Sequence, residues 1–128
     1  MFWKVKIRQS DKLFSIYIRK RDKWRCVRCG KQHDEHSHNF GVSHFYSRRK
    51  ESVRFDPENV DSMCNHPCHS EWEHEKKEGR EYYNFKINQL GKMRFDILTV
   101  RAHQIAKKDD KLMMLIIKEF IKRLEESA

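Results

Sequence analysis

Arg25-Cys26-Val27-Arg28-Cys29-Gly30 and Cys64-Asn65-His66-Pro67-Cys68-His69 are the two stretches on which the fold of this chain turns. Each holds two thiols a short turn apart, and tetrahedral zinc takes four such ligands from two loops. Gly30 permits the tight turn that points backbone amides at thiolates. The expected ligand set is Cys26, Cys29, Cys64 and Cys68. His66 lies inside the second pair, so Cys64 or His66 could exchange as a ligand. Such a site is closed and structural. The 34 residues between Cys29 and Cys64 leave room for a functional hairpin.

Around that clamp the chain is short and basic. Its 128 residues suit one domain with a helical extension, and 38% hydrophobic against 37% charged content speaks against a large core. A metal staple would help to offset the shortfall. A formal charge of +9 and a pI near 9.5 point to a polyanionic partner, most simply nucleic acid. No 18-residue apolar run exists, which argues against a membrane. The opening Met1-Phe-Trp-Lys-Val-Lys-Ile-Arg-Gln-Ser10 is too charged for the apolar region of a signal peptide, so the expected compartment is the cytoplasm. Reduced thiols there favour metal over disulfides.

Ser10 or Asp11 can cap a first helix in which Leu13/Tyr17 and Phe14/Ile18 form i,i+4 pairs. Residues 31–41, with His33, His36 and His38, read as a loop. Val42–Tyr46 reads as a strand, Ser47–Asp56 as a basic turn and return, and Pro57–Asp61 as another turn. Pro67 suits the first turn of a helix ending near Gly79. Helices follow at Glu81–Leu90, stopped by Gly91, at Phe95–Ala106 with Leu98, Ala102 and Ile105 on one face, and at Lys111–Glu126. The last carries an apolar stripe from Leu112 to Leu124. Lys107–Lys111 supplies a hairpin loop. The expected division is therefore a zinc-containing unit over 1–106 and a helix over 107–128 that packs on it or forms an interface.

Hydrolysing a phosphodiester needs a base for water, a cation for the charge building on phosphorus, and help for the leaving oxygen. His44, flanked by Val42 and Phe45, is positioned to be the base. Asn59 can hold the loop or orient the base through its amide. His69, placed by the clamp at a helix start, can bind a catalytic ion. Glu73, four residues on, shares its helical face and is a candidate second ligand. Arg48, Arg49, Lys50 and Arg54 gather charge beside the base for phosphate contacts.

The order Cys-x-x-Cys, His44, Asn59, Cys-x-x-x-Cys-His69 resembles HNH (ββα-metal, His-Me finger) endonucleases with zinc knuckles. More narrowly, Arg25–Gly30, Ser43-His-Phe-Tyr-Ser-Arg48, Val53-Arg-Phe-Asp56 and Asn59-Val60 resemble the lambdoid-phage NinG/Rap recombination nucleases, over roughly residues 10–103. The resemblance implies cleavage of branched DNA, such as Holliday junctions and flaps, during phage recombination in a bacterial host. It implies His44 as general base, Asn59 as orienting residue and His69 near a magnesium or manganese ion. Two positions depart. Ser43 stands where many HNH enzymes have an aspartate and this family tends to glycine, and His69 stands where the family often has asparagine. Asp56, Asp61, Glu73 or His66 could complete the ion's ligands.

The expected architecture is α+β: a zinc-stapled ββα-metal nucleus with a leading helix and a trailing helical hairpin. The expected activity is DNA endonuclease, with homodimerisation attractive because a four-way junction has two-fold character. The rivals are a non-catalytic zinc-finger DNA-binding module and an interaction protein whose last helix binds a partner. RNA stays open as a substrate.

Overall fold

The computed structural model describes residues 5–73 and 80–127. A hairpin does lie between the cysteine pairs. Strand β1 (Phe40–His44) pairs antiparallel with β2 (Val60–Cys64), Phe40 opposite Cys64 and His44 opposite Val60. One end of the ribbon thus carries a cysteine and the other the histidine. Pairing begins two residues before the expected strand and ends at His44, although the Phe45 amide still reaches the Asn59 carbonyl at 2.8 Å.

Helix α1 (Gln9–Arg21) precedes the ribbon. A kinked helical turn, Asn65–His69, leads into α2 (Ser70–Glu73). Pro67 therefore sits in that turn rather than in α2, and the expected helix end near Gly79 lies outside the described residues. Helices α3 (Glu81–Leu90), α4 (Lys92–Ala102) and α5 (Asp110–Glu126) complete the order. The left-handed Gly91 (φ 83°) closes α3 by donating its N–H to Ile87 O at 2.8 Å, and α4 starts at once. It therefore begins before the expected Phe95 and ends at Ala102. Ile105, placed on its buried face by periodicity, is fully exposed beyond its end.

Apolar side chains gather in three clusters. Cys26, Phe40, Met63, Cys64, Cys68, Trp72 and Tyr82 pack around the thiols. Phe14, Ile18, Phe55, Val60, Met113 and Ile117 join α1, the ribbon and α5. Val53, Leu98 and Ala102 seat α4. Burying one such aliphatic or aromatic side chain stabilises by about 1.5–3 kcal/mol.

The expected trailing hairpin is not how α5 packs. Its partner is α1, across the length of the chain: Phe120 meets Tyr17 with ring centroids 5.3 Å apart, and Met113 and Ile117 enter the cluster of Phe14 and Ile18. Helix α5 thus shares a core with α1 and the ribbon. Ser10, expected as a cap of α1, turns to Asp110 at the start of α5. The cap position falls at Arg8, whose N–H donates to the Asp11 carboxylate at 2.8 Å.

Among the described residues two ion pairs are buried. Lys86 on α3 contacts Asp61 on β2 at 2.7 Å and donates to Glu58 O at 2.6 Å, while Gln89 donates to the same carboxylate. Arg54 meets Asp11 through two guanidinium nitrogens. Both pairs carry the extra hydrogen bonds that buried charge requires.

Candidate active site and thiolate cluster

The two cysteine loops converge. The Sγ atoms of Cys26, Cys29, Cys64 and Cys68 all lie within 4.8 Å of one another, with Cys29 and Cys64 at 3.6 Å. Disulfide sulfurs sit about 2.05 Å apart, so these are thiols. Sulfurs about 2.3 Å from a tetrahedral zinc stand roughly 3.8 Å from each other, which this cluster matches. The four cysteines could hold a structural zinc ion. His66 takes no part: it is exposed and its N–H donates to the Asn39 side chain.

The electrostatics of the cluster favour thiolate at Cys26. Burial raises its pKa, but N–H groups of Cys29, Cys64 and Arg28 donate to the sulfur and bring it down to about 7. Burial and neighbouring thiols push Cys64 up to about 12 and Cys68 to about 11. Cys64 and Cys68 therefore keep their protons when no ion is bound, and a divalent ion would displace them on binding. Gly30 takes the left-handed conformation (φ 77°) that the first turn requires.

His33, expected in a loop, is a buried neighbour of this cluster. Its Nε2 lies 3.2 Å from Cys64 Sγ, its Nδ1 3.0 Å from Ser37 Oγ, and its ring stacks on Phe40. Nothing in the sequence distinguishes it from the exposed His36. The signal is a fold-level one: Gln32 bridges to Arg25 and carries His33 inward.

At the other end of the ribbon lies a cleft of about 320 Å³, lined by Val42, His44, Ser47, Arg48, Arg49, His69 and Glu73, with Val5 at its rim. It brings together five of the residues singled out from the sequence. His44 presents Nε2 to the Arg54 carbonyl at 3.0 Å. A carbonyl accepts only, so Nε2 carries the hydrogen and Nδ1 holds the lone pair. Burial, then the charge of Arg48, hold the His44 pKa down to about 4, so the ring is neutral at pH 7. His69, from the turn before α2, and Glu73, at the end of α2, both line the cleft. An imidazole and a carboxylate suit a magnesium or manganese ion that keeps several waters.

Asn59 is buried beneath the cleft. Its Oδ1 accepts from the Tyr46 N–H at 2.8 Å, and its Nδ2 donates to the Tyr46 and Val53 carbonyls. These amide bonds hold the loop after β1. Arg54, expected on phosphate, is a correction. It is only 2% exposed, and its guanidinium is held by Asp11, Glu51 and the Lys6 carbonyl. Lys50 is exposed in the turn beyond the cleft.

The other carboxylates considered for the ion point elsewhere. Asp61 is tied to Lys86, and Asp56 to Arg101. Ser43 faces away from His44, and its hydroxyl meets Tyr82 Oη at 3.1 Å. Among the described residues no helix is long and apolar enough to cross a membrane.

The family model described as Bacteriophage Lambda NinG protein matches residues 3–127. No curated protein and no solved structure matches the chain. The family match spans nearly the whole sequence, and the chain belongs to the NinG family of lambda-like bacteriophages.

Proposed function

We propose that this NinG-family chain is a divalent-ion-dependent DNA endonuclease of the HNH type, acting on branched DNA, with His44 as general base. The observation that carries this reading is the neutral His44 with Nε2 pinned by the Arg54 carbonyl, in one cleft with His69, Glu73, Arg48 and Arg49.

The chemistry follows from those atoms. His44 Nδ1 takes a proton from water, the oxygen attacks phosphorus, and the 3′ oxygen departs with the bonding pair. Arg48 and Arg49 hold the non-bridging phosphate oxygens as charge accumulates there. A divalent ion held near His69 and Glu73 would neutralise charge on the phosphorane and the leaving oxygen. Asn59 and the Arg54 carbonyl fix the loop and the ring so that Nδ1 needs no reorientation.

Ser43 favours a second reading, a non-catalytic DNA-binding module. With its hydroxyl on Tyr82, it supplies no ligand beside the base. The deciding experiment compares zinc-loaded wild type with His44→Ala on labelled four-way junction, flap and linear duplex, with magnesium, with manganese or with neither. Ion-dependent cutting of branched DNA, lost in the variant at equal binding, is the expected result. Tight binding without cutting under any ion overturns the nuclease in favour of the module.

A further inference from the structure

The +9 charge is unevenly answered over the surface. Both acidic residues between positions 9 and 24 are turned to internal partners: Asp11 to Arg54, and Asp22 to Arg21 and the Ser62 N–H. Lys12, Arg19, Lys20 and Lys23 of the same segment have no carboxylate within 4 Å among the described residues. The other outer faces differ. Arg28 pairs with Glu71 and Glu81, Arg94 with Glu58, and Lys92 with Asp96. The segment 109–126 holds five acidic residues against four basic ones, so its field is close to cancelled.

Lys12 and Arg19 lie seven residues apart on one face of α1, about 10 Å along its axis, close to the rise of three base pairs. With Ser15, Ile16 and Arg48, and with the Asp11 carboxylate that Arg54 neutralises, they line a groove of about 320 Å³. Arg48 lines the His44 cleft as well, so the groove and the cleft adjoin at one guanidinium. The Arg48 Nε is buried and has no hydrogen-bond partner among the described residues. Its nearest carboxylate is Asp11 at 4.0 Å, already held by Arg54.

We propose that the groove along α1, from Arg48 through Lys12 to Arg19, is the track that takes the sugar-phosphate backbone of the DNA flanking the scissile bond. This rests on the nuclease reading above and adds to it where an arm of the substrate lies. The surface offers charge and helix-spaced contacts, with nothing arranged for base edges, so it reads backbone position rather than sequence. An arm seated there leads its strand past Arg48 to Nδ1 of His44.

The test is binding without cleavage: fluorescence anisotropy of a labelled four-way junction with zinc-loaded protein and no added magnesium or manganese, over stepped salt. Lys12→Gln/Arg19→Gln is compared with Lys118→Gln/Lys122→Gln on α5, which removes equal charge. The α1 variant is expected to bind about tenfold or more weakly near 0.1 M salt, with its log–log salt slope shallower by roughly 1.8. The α5 variant is expected to stay within about twofold of wild type. Lys12→Gln alone, at an exposed side chain, gives the same direction free of any folding defect. An α1 variant that binds like wild type, or an α5 variant that loses as much, overturns the track and leaves the nuclease reading standing. A wild-type protein that does not bind DNA overturns both.

Discussion

The two ends of the β1–β2 ribbon use the same residue types for opposite purposes. At the Cys64 end, His33 is buried, both ring nitrogens have partners, and four sulfurs lie within 4.8 Å of one another. At the His44 end, one ring nitrogen is fixed by a carbonyl, the other is left open to a cleft, and Arg48 keeps an unanswered N–H. A closed end suits a structural metal, and an open end suits a reacting ligand. A side chain's chemistry does not decide which role it takes; what decides it is how many of its polar atoms the fold has already engaged.

The largest effect that could break this contrast is at the closed end. A structural zinc is worth about 10 kcal/mol or more of folding free energy. Chelation, or Cys64→Ser, should therefore abolish cooperative melting followed by circular dichroism, in step with metal content. An unchanged melt after complete metal removal would mean the clamp does not hold the fold. At the open end, His44→Ala should lower cleavage by about 10²–10⁴-fold while the melting temperature stays put. A variant that loses rate and stability together would place His44 among the structural residues.

Between the ends lies the pair Arg54–Asp11, whose backbone carbonyl serves His44. Arg54→Met leaves a buried carboxylate without its partner and should cost about 3–5 kcal/mol in urea unfolding. Arg48→Met, one turn away, should leave the unfolding curve nearly unchanged and weaken DNA binding instead. Swapped outcomes would undo the division between them.

The pH profile sharpens the same point. His44 titrates near 4 in the fold against an ordinary 6.5, so the acid limb of cleavage should show no break near 6.5. Between pH 6.5 and about 4 the unfolded chain binds the proton first, so His44 makes stability fall as pH falls through that window. His44→Gln should flatten that part of a pH–stability curve. The smallest effect belongs to Ile105→Ser, within about 0.5 kcal/mol, since that side chain is fully exposed.

Sequence reading reached unevenly into this structure. The convergence of the thiols and of His44, His69 and Glu73 was legible because short spacings and turn residues bind them to local geometry. Helix α5 was legible from its period, but a period names a face and not the helix that covers it, so its packing on α1 had no local signal. Arg54 and Asp11 look like surface charges in a chain that is 37% charged. Only their mutual burial, 43 positions apart, shows otherwise. His33 was hidden among eight histidines for the same reason.

The bond from Ser10 to Asp110 joins residues 100 positions apart. A ribosome adding about 5–20 residues per second releases the first helix roughly 5–20 seconds before its partner helix exists. During that interval Phe14 and Ile18 have no α5 to cover them, while both cysteine loops are made before it ends. Newly made chains should therefore load metal first and complete the second apolar cluster last. In the cell, the window for chaperone capture or aggregation falls on α1 rather than on the His44 cleft.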